Sequence, residues 1–505
     1  MPDTRWLFAD QLGPHFVDSE DQRVLLVESV AAFGRRPMHR RKAHLILSAL
    51  RHRAAALGER ARLIRADTYR EALDDVEGQV SVCAPTTWAA RGLTDALAAE
   101  GRVSVLPARG WAIGEDQFAA WAGRRGSKRL LLEDFYRDVR RRHDVLIEAD
   151  GEPAGGRWNY DEDNREAPPK DAALLHASAS SAVDAQPWWP VEDEIDAQVR
   201  ADLDAWQREG RIRLRGDDGP RRFAATRAEA VAALEHFVEH RLDGFGPHED
   251  AMLSADDWMG HSLLSAPLNL GLLHPLEVAR AAERAWREGR ARLNSVEGFV
   301  RQVLGWREYV WHLYWHAGPD YRHANELGAR QPLPAWFAEL DAGGEVRMAC
   351  LSDVLRRVRE EGWTHHIPRL MVLGNWCLQR GYDPAAVTAW FRENFVDGYD
   401  WVMVPNVVGM SQHADGGWMA TKPYAAGGAY VDRMSDYCGG CRYDPKVRVG
   451  ERACPFTAGY WAFLERHRER FAGNHRMSRA VAGLGRLRDL DALVEQERLR
   501  GDAAP

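Results

Sequence analysis

The chain has 505 residues, of which 45% are hydrophobic and 28% charged, a composition typical of a globular protein with two or three domains. Its net charge of −8 argues against unspecific adhesion to nucleic acid but allows a local basic patch. Because no window of about 18 apolar residues occurs and the N-terminal segment lacks an apolar core, we expect neither a membrane span nor a secretory signal. Six cysteines are too few for a disulfide scaffold, so we expect a cytoplasmic protein with reduced thiols available to bind metal.

Residues 1–130 predict a sheet domain. Five short apolar runs have the character of buried strands: RWLFAD (5–10), RVLLVES (23–29), RLIRAD (62–67), VSVCAP (80–85) and RVSVLP (102–107). Residues 40–57 and 87–99 repeat apolar side chains at three- and four-residue spacing, which indicates helices between the strands. This alternation predicts an α/β, doubly wound parallel sheet. Since no G-x-G-x-x-G follows the first strand, we expect any ligand at the carboxyl ends of the strands, near Asp10, Gln11 and Glu28.

Residues 131–225 are charged and are interrupted by polar segments at 151–170 and 184–193, a pattern that predicts an irregular connector with a few helices. Helical periodicity dominates from residue 226 onward, so residues 226–505 predict a large all-helical domain. The chain contains 20 tryptophans, more than its 15 phenylalanines or 13 tyrosines. We expect most of them in the core, since aromatic side chains bury large areas, and a redox or base-stacking role for a few is the alternative.

Basic residues are concentrated in four runs: RRPMHRRK (35–42), RRGSKR (124–129), RDVRRRH (137–143) and RHRER (466–470). We interpret each run as a solvated helix face, with a local contact to nucleic acid as the alternative.

Three cysteines lie within 17 residues of one another: Cys438, Cys441 and Cys454. The first two form a C-x-x-C, but no second pair of cysteines or histidines follows, as a zinc site usually requires. The spacing therefore favours a [4Fe–4S] cluster, whose irons accept cysteines spread along the chain, over zinc. Cys83 belongs to a predicted strand and Cys377 to an apolar helix, so Cys350 is the favoured fourth ligand.

The segment HSLLSAPLNLGLLHP (261–275) places two hydroxyl groups, those of Ser262 and Ser265, beside a predicted helix start. Helix N-termini attract anions, so these hydroxyls could receive phosphate groups. On the residues of this segment alone, simple N-capping of the helix is the favoured interpretation.

Two adjacent histidines, His365 and His366, lie in the segment WTHHIPRLMVLGNW (363–376). On a helix they project about 100° apart, so one could contact a substrate while the other orients it. An ordinary helix start capped by Thr364 is the alternative. The stretch 396–424 is polar and glycine-rich and predicts a loop.

Together these segments resemble the photolyase/cryptochrome family, specifically its iron–sulfur bacterial branch of deoxyribodipyrimidine photolyase-related proteins, which includes prokaryotic (6-4) photolyases. HSLLSAPLNLGLLHP resembles the flavin-phosphate segment, VEGFVRQVLGWREY the Trp-Arg-Glu helix, HHIPRL the active-site histidines and DGYDWVMVPN the loop around the flavin ring. SDYCGGCRYDP and ACPF, with Cys350, resemble the cluster ligands. Over nearly the whole chain the resemblance implies an antenna-binding α/β domain (1–130), a connector (131–225) and an all-helical domain (226–505) that binds FAD and a [4Fe–4S] cluster.

The resemblance also implies individual roles. The residues expected to hold the FAD pyrophosphate are Ser262, Leu263, Leu264, Ser265 and Asn269. Those expected beside the flavin are Trp306, Arg307, His366 and Asn406. Arg369 and Asp397 resemble the ion pair at the flavin N5 edge, and Trp390 the first carrier of the chain that photoreduces FAD. The residues expected around a 6,7-dimethyl-8-ribityllumazine antenna are Asp10, Gln11 and Glu28, and the cluster ligands are Cys350, Cys438, Cys441 and Cys454.

Three positions depart from the family pattern. Met403 stands where relatives place a polar side chain beside flavin N5, and a thioether is a poor hydrogen-bond acceptor. Phe391 follows Trp390 at a position where a tyrosine could have donated an electron. Leu370 stands where eukaryotic (6-4) enzymes carry another histidine.

The resemblance implies light-driven repair of (6-4) pyrimidine–pyrimidone photoproducts, in which excited reduced FAD donates an electron and His366, beside His365, supplies a proton. A blue-light receptor with the same cofactors is the first alternative, and an iron–sulfur module that only binds nucleic acid is the second. We expect UV-damaged DNA as the partner, a monomeric state and no membrane association.

Overall fold

The structure is a computed structural model that describes residues 3–126, 128–169 and 186–505. Part of the predicted connector, residues 170–185, therefore lies outside the described residues. Within the described ranges no helix is both long enough and apolar enough to cross a membrane.

A five-stranded parallel sheet forms the centre of the N-terminal part, with strand order β4-β2-β1-β5-β6. The strands are, in chain order, β1 (Thr4–Leu7), β2 (Arg23–Ser29), β3 (Met38–His39), β4 (Ala61–Ala66), β5 (Val80–Cys83), β6 (Ser104–Leu106) and β7 (Leu214–Arg215). Strands β3 and β7 form a separate two-stranded sheet. In the register of the large sheet, Leu7 lies opposite Leu26 and Trp6 lies opposite Val82. The doubly wound parallel sheet that the sequence predicts is confirmed.

The two edge strands are less buried than the sequence predicts. Leu63 on β4 is 38% exposed and Val105 on β6 is 37% exposed, whereas the apolar side chains of the central strands are buried on both faces. A central strand in a parallel sheet is covered by helices on each side, but an edge strand faces solvent along one border. The apolar runs of edge and central strands look alike in sequence, which is why the prediction of uniform burial was wrong.

Helices pack on both faces of the sheet and fill the rest of the molecule. Those before residue 226 are α1 (Val30–Gly34), α2 (Arg40–Leu57), α3 (Tyr69–Asp74), α4 (Trp88–Ala99), α5 (Glu115–Arg125), α6 (Leu132–His143) and α7 (Glu194–Arg208). Helix α2 has the bounds that the apolar spacing predicts. Helix α4 begins one residue later than predicted, because Thr87 serves as its N-cap and accepts a hydrogen bond from the Ala90 N–H.

Residues 226–505, all described, form helices and isolated bridges but no longer strand. The first eight helices are α8 (Arg227–His240), α9 (Leu242–Phe245), α10 (Ser265–Asn269), α11 (Pro275–Arg287), α12 (Leu293–Val300), α13 (Glu308–Ala317), α14 (Ala335–Ala338) and α15 (Ala349–Glu361). The others are α16 (Asn375–Arg380), α17 (Pro384–Asn394), α18 (Asp400–Val404), α19 (Gly428–Met434), α20 (Pro455–Arg466), α21 (Arg468–Ala472), α22 (Ser478–Leu484) and α23 (Leu490–Arg500).

Three π-helical segments interrupt this helical part, at Arg301–Arg307, Pro368–Gly374 and Pro405–Ser411. A π-helical turn holds one residue more than an α-helical turn and often occurs at functional sites. The third segment follows α18, so residues 400–411 are helical and the loop predicted for 396–424 is wrong over this part. Two of the segments begin at proline. Pro368 lies in the first turn of its helical stretch, where a missing N–H is tolerated, whereas Pro405 continues directly from α18 and removes an N–H from the helical hydrogen-bond pattern there.

The basic run 35–42 does not form a solvated helix face. His39 and Lys42 are buried, and the Lys42 ammonium donates to the carbonyl oxygens of Arg392 (2.6 Å) and Gly398 (2.5 Å). The run thus connects α2 to the segment after α17. In the run 137–143, Arg140 is buried as well and donates to main-chain carbonyls. Buried cations of this kind require fixed oxygen partners, and such partners become visible only in the folded chain.

One continuous hydrophobic core joins the sheet to the helical part. It includes Leu7 and Leu26 from the sheet and Leu270 and Val408 from the helical half. At the boundary, the indole rings of Trp111 and Trp311 stack with centroids 4.0 Å apart and planes 5° apart. The two halves therefore share buried apolar surface rather than meeting through a thin polar interface.

Candidate functional site

The side chains of Arg369 and Asp397 form a two-pronged ion pair, with N–O distances of 2.8 and 3.0 Å. The Ser265 hydroxyl donates to the same carboxylate at 2.7 Å, and the Asn269 amide donates to the main-chain oxygen of Asp397 at 3.1 Å. The Arg369 Nε donates to the Thr364 carbonyl at 2.7 Å. Four residues that the sequence assigns to cofactor binding thus meet around one carboxylate.

The start of helix α10 is not capped in the way that the simpler interpretation of this segment requires. Its N-cap residue is Leu264, for which the described residues show no side-chain cap, and the Ser265 hydroxyl is bonded to Asp397 instead. Ser262 accepts a hydrogen bond from the Leu264 N–H at 3.3 Å, and Leu263 has a φ of 58°, a left-handed conformation that is rare for leucine. The helix-capping interpretation is wrong for Ser265.

Ser262 and Leu263 line a surface pocket. Basic side chains share its wall, namely those of Arg222, His236 and Arg241. Positive charge beside hydroxyl and main-chain groups suits an anionic ligand such as a diphosphate.

Trp306 and Asn406, from two different π-helical segments, are joined by a hydrogen bond from the indole Nε1 to the amide Oδ1 of 3.0 Å. The Asn406 amide also donates to the Val402 carbonyl at 2.8 Å, which fixes its orientation. The structure therefore brings these two predicted flavin neighbours together.

Arg307 points toward the N-terminal half. Its guanidinium pairs with Glu308 at 3.0 Å and lies 4.1 Å from the ring centroid of Trp111. Glu308 in turn accepts a hydrogen bond from the Ala112 N–H at 2.8 Å. Burial lowers the pKa of Arg307 to about 10 and raises the pKa of Glu308 to about 7. The pair thus fastens the helical part to the segment 111–112.

The adjacent histidines occupy different environments. His365 is buried, and its ring stacks on that of His261 with centroids 4.3 Å apart. Burial lowers the pKa of both rings well below the ordinary value, so both are neutral near pH 7. The side chain of His366 is 44% exposed, and its Nε2 lies 3.3 Å from a carboxylate oxygen of Asp250.

The pKa of His366 moves in the opposite direction. Burial alone would lower it, but the hydrogen bond with Asp250 and the negative charges of Glu249 and Asp250 outweigh that effect and raise the pKa above its ordinary value. Glu249 is buried and accepts a hydrogen bond from the Gln302 amide at 2.8 Å, and burial raises its own pKa to about 7. His366 is therefore equipped to carry a proton at neutral pH.

No sequence motif pointed to Glu249, Asp250 or His261 as members of this site. The signal available for the carboxylates is the polar run PHED (247–250) within an otherwise helical pattern, and His261 opens a segment already assigned to cofactor binding. A helix does begin at His366, but the predicted cap is wrong, because the Thr364 hydroxyl has no hydrogen-bond partner among the described residues.

Trp390 is buried, and its Nε1 donates to the Phe337 carbonyl at 3.2 Å. Its ring centroid lies 6.1 Å from that of Phe395, whose ring in turn lies 4.2 Å from the guanidinium of Arg369. A continuous aromatic path thus connects Trp390 to the ion pair with Asp397.

Four of the six cysteines line a single cavity: Cys350, Cys438, Cys441 and Cys454. Cys350 lies in the first turn of α15, and Cys454 directly precedes α20. The other two, Cys83 in β5 and Cys377 in α16, are buried elsewhere in the fold. This division agrees with the ligand set favoured by the sequence.

The three expected antenna residues lie near the carboxyl ends of β1 and β2. Asp10 accepts a hydrogen bond from the Thr86 hydroxyl, and burial raises its pKa. The Gln11 amide donates to the Cys83 carbonyl at 3.0 Å. Glu28 differs, because its buried carboxylate is bound by the Arg51 guanidinium at 2.6 and 3.0 Å. Asp10 and Gln11 lie just beyond the carboxyl end of the central strand β1, whereas the carboxylate of Glu28 belongs to an ion-pair network with Arg51.

The chain is similar in sequence to known proteins. Residues 5–205 match the model of a family described as deoxyribodipyrimidine photo-lyase-related protein. The chain is also 40% identical over 502 residues to a (6-4) photolyase of Agrobacterium fabrum, an alignment that covers 95% of each chain.

Two solved structures have the same fold at low sequence identity. The first is a bacterial class III photolyase from Agrobacterium tumefaciens, with a TM-score of 0.53, 17% identity, and coverage of 80% of this chain and 78% of that one. The second is a cryptochrome from Synechocystis sp. PCC6803, with a TM-score of 0.51, 12% identity, and coverage of 81% and 82%.

Proposed function

Because the chain belongs to the photolyase/cryptochrome family, we propose that it is a (6-4) photolyase, an enzyme that uses light to repair (6-4) pyrimidine–pyrimidone photoproducts in UV-damaged DNA. The observation that carries the proposal is the 40% identity over 95% of both chains with a relative of that name. The His366–Asp250 pair agrees with it, since it supplies a partly exposed proton donor beside the predicted cofactor residues.

The residues at the site fit FAD. The pocket lined by Ser262 and Leu263 combines hydroxyl and cationic groups suited to the pyrophosphate, and Leu264 adjoins it. The Arg369–Asp397 ion pair, held by Ser265 and Asn269, and the Trp306–Asn406 hydrogen bond would border the flavin ring. When bound, reduced FAD supplies the electron that light transfers to the lesion. Trp390, linked to Arg369 through Phe395, would deliver the electrons that keep FAD reduced.

The protein's own contribution to the reaction is the movement of a proton. Repair of a (6-4) lesion returns a hydroxyl group from one base to the other, so an electron alone is insufficient. The carboxylates of Asp250 and Glu249 raise the pKa of His366 and so favour the protonated imidazole, which would donate to a base flipped out of the duplex. Neutral His365, stacked on His261, would position His366 rather than act as an acid itself.

We also propose a [4Fe–4S] cluster on Cys350, Cys438, Cys441 and Cys454. A tetrahedral zinc ion with Zn–S bonds of about 2.3 Å needs sulfur atoms roughly 3.8 Å apart. In the part of the chain that the structure describes, the groups of candidate ligands that lie within 4.8 Å of one another contain histidines and aspartates but no cysteine. This wider spacing of the sulfurs supports a cluster in preference to a single zinc ion.

A ribityl lumazine antenna near Asp10, Gln11 and Glu28 completes the proposal. The Asp10 carboxylate has one oxygen without a hydrogen-bond partner among the described residues, which could receive a ligand N–H. Glu28 would take part only through its network with Arg51, because both of its oxygens are already bonded.

Repair under blue light tests the function directly. Protein whose FAD has been reduced is mixed with an oligonucleotide that carries one (6-4) lesion. The restored bases are then measured by chromatography with and without light. We expect turnover in light alone. A protein that absorbs blue light and undergoes flavin photochemistry without restoring the lesion would be a photoreceptor, and this result would contradict the proposal.

A further inference from the structure

Three histidine rings converge beside the proposed catalytic pair. One ring nitrogen from each of His261, His365 and His366 lies within 4.8 Å of the other two. The ring centroids are separated by 4.3 Å (His261–His365), 5.5 Å (His261–His366) and 5.9 Å (His365–His366). Imidazole nitrogen is the side-chain ligand that zinc, copper and nickel share.

These separations suit a single ion. A Zn–N bond of about 2.0–2.1 Å places each ring centroid roughly 3.1 Å from the metal. The observed centroid separations then leave angles at the metal on the order of 90–145°. A ring nitrogen binds a metal in the plane of its ring, and the rings of His261 and His365 are stacked with only 20° between their planes, so binding requires one of these two rings to rotate about its Cβ–Cγ bond.

Ring nitrogens without hydrogen-bond partners also indicate a bound metal ion. Among the described residues, no partner is found for the Nε2 of His261 or for either ring nitrogen of His365, although these side chains are 8% and 2% exposed. Buried polar atoms in a folded protein normally have partners, so these nitrogens call for a ligand. The Nε2 of His366 faces Asp250, which leaves its Nδ1 for a metal. A carboxylate behind a metal-bound histidine is a common supporting arrangement.

We propose that His261, His365 and His366 form a binding site for a divalent transition metal ion, with zinc as the representative ion and Asp250 as the carboxylate that orients His366. The binding itself is independent of the proposed function. Its consequence rests on that function: His366 coordinated to zinc cannot donate a proton, so zinc should inhibit light-driven repair.

The chain provides a matched control. His52, Asp193 and Asp196 form a second group whose ligand atoms lie within 4.8 Å of one another. There the Asp196 carboxylate is already bound on both oxygens by the Arg221 guanidinium, at 3.0 and 3.1 Å. A fixed guanidinium cation disfavours a second cation at the same carboxylate, so we expect no zinc at this group.

The test uses protein loaded with FAD and iron, and zinc chloride as the probe. Isothermal titration calorimetry should show one zinc ion per chain, with affinity reduced at least tenfold in His261→Asn and unchanged in His52→Asn. Iron and FAD contents, measured on the same samples, should stay constant. Zinc K-edge absorption should give nitrogen or oxygen neighbours at about 2.0–2.1 Å.

Several results would overturn the proposal: no zinc binding to the loaded protein, a loss of affinity in His52→Asn but not in His261→Asn, or release of iron on addition of zinc. A sulfur shell at about 2.3 Å would also overturn it, because the ion would then sit among the cysteines. This spectrum is recorded on the unaltered protein, so the proposal stays testable if His261→Asn fails to fold. Zinc bound without inhibition would retain the site and count against the proposed role of His366.

Discussion

His366 and His365 are neighbours in the chain, yet the pKa values of their rings shift in opposite directions, upward for His366 and downward for His365. His366 is 44% exposed and faces two carboxylates, whereas His365 is buried against another neutral ring. Burial without a counter-charge removes the proton from an imidazole, and a counter-charge restores it. The sequence predicts that the two side chains diverge, but the carboxylates that decide their charges lie more than 100 residues upstream.

Replacement of His366 by alanine should abolish most repair and leave the cofactors in place. Positioned acids and bases typically contribute about 10²–10⁴-fold to a rate, so we expect His366→Ala to lose at least 100-fold in light-driven repair of a (6-4) oligonucleotide. Flavin absorbance and iron content should match those of the unaltered protein. Repair at the normal rate, or a defect explained by lost FAD, would show that His366 is not the proton donor.

Asp250 should control the pH at which repair declines. The acid form of His366 is required, so the rate should fall as pH rises through the pKa of His366, which Asp250 holds above its ordinary value. Asp250→Asn removes one negative charge, so it should shift this alkaline limb toward lower pH by on the order of one unit. The measurement is the single-turnover repair rate between pH 6 and 9 under saturating light. If the alkaline limb lies at the same pH in Asp250→Asn as in the unaltered protein, Asp250 is not what raises the pKa of His366.

At the scale of helices, the site depends on hydrogen bonds between helical elements that are distant in the chain. Helix α2 projects Lys42 across the boundary to the segment that carries Asp397, and π-helical turns present Trp306 and Asn406 to each other. The apolar spacing predicts the bounds of α2 but contains no indication that a lysine at its start is buried. The extra residue of a π-helical turn likewise has no signature in a periodicity that assumes α-helical spacing.

Lys42→Met should loosen the segment 392–398 while keeping the length of the side chain. Two buried carbonyl oxygens lose their donor, and an unsatisfied buried group typically costs about 1–3 kcal/mol. Burial of the ammonium is itself unfavourable, since it lowers the pKa of Lys42 to about 7. The substitution removes this unfavourable contribution, which offsets part of the loss. We expect a net decrease in the free energy of unfolding by denaturant and weaker retention of FAD. Arg35→Met, an exposed position in the same basic run, is the control and should change neither.

The cysteine cavity joins α15 to the start of α20, so the cluster should be a structural tie between these helices. Single serine substitutions at Cys350, Cys438, Cys441 or Cys454 should lower iron content and soluble yield, because metal binding and folding are coupled. Cys83→Ser and Cys377→Ser should keep their iron. Anaerobically purified protein that contains zinc and no iron would refute the cluster.

At the scale of the whole molecule, the chain order of strands and helices is predictable because each depends on local apolar patterns. The convergence of distant residues is not predictable in this way. Residues 249–261 reach His366 only after the helical part has folded, and Glu28 meets Arg51 only when α2 packs on the sheet. Family resemblance predicts the Arg369–Asp397 pair and the cysteine set, because matched motifs carry tertiary information that periodicity lacks. It does not predict the surroundings of each residue, such as the orientation of Arg307 toward Trp111.

The shared core predicts that neither half is stable alone. A fragment of residues 226–505 would expose apolar surface at the boundary, where the Leu12 N–H donates to the Leu270 carbonyl and Trp111 stacks on Trp311. We expect this fragment to be insoluble or to lack cooperative thermal unfolding, whereas the full chain should unfold in one transition. A fragment that is folded, with a sharp transition and bound FAD, would show that the boundary contributes little to stability.

The Trp111–Trp311 stack gives the molecule an internal optical reporter. Two indoles with centroids 4.0 Å apart, one from each side of the boundary, are close enough for their excited states to couple. Such coupling contributes to near-ultraviolet circular dichroism and disappears when the rings separate by a few ångströms. The difference spectrum between the full chain and Trp111→Phe would contain this signal together with that of the Trp111–Trp401 pair, whose centroids lie 4.9 Å apart and which also spans the boundary. Opening of the boundary during temperature or denaturant titrations could therefore be followed without an added label.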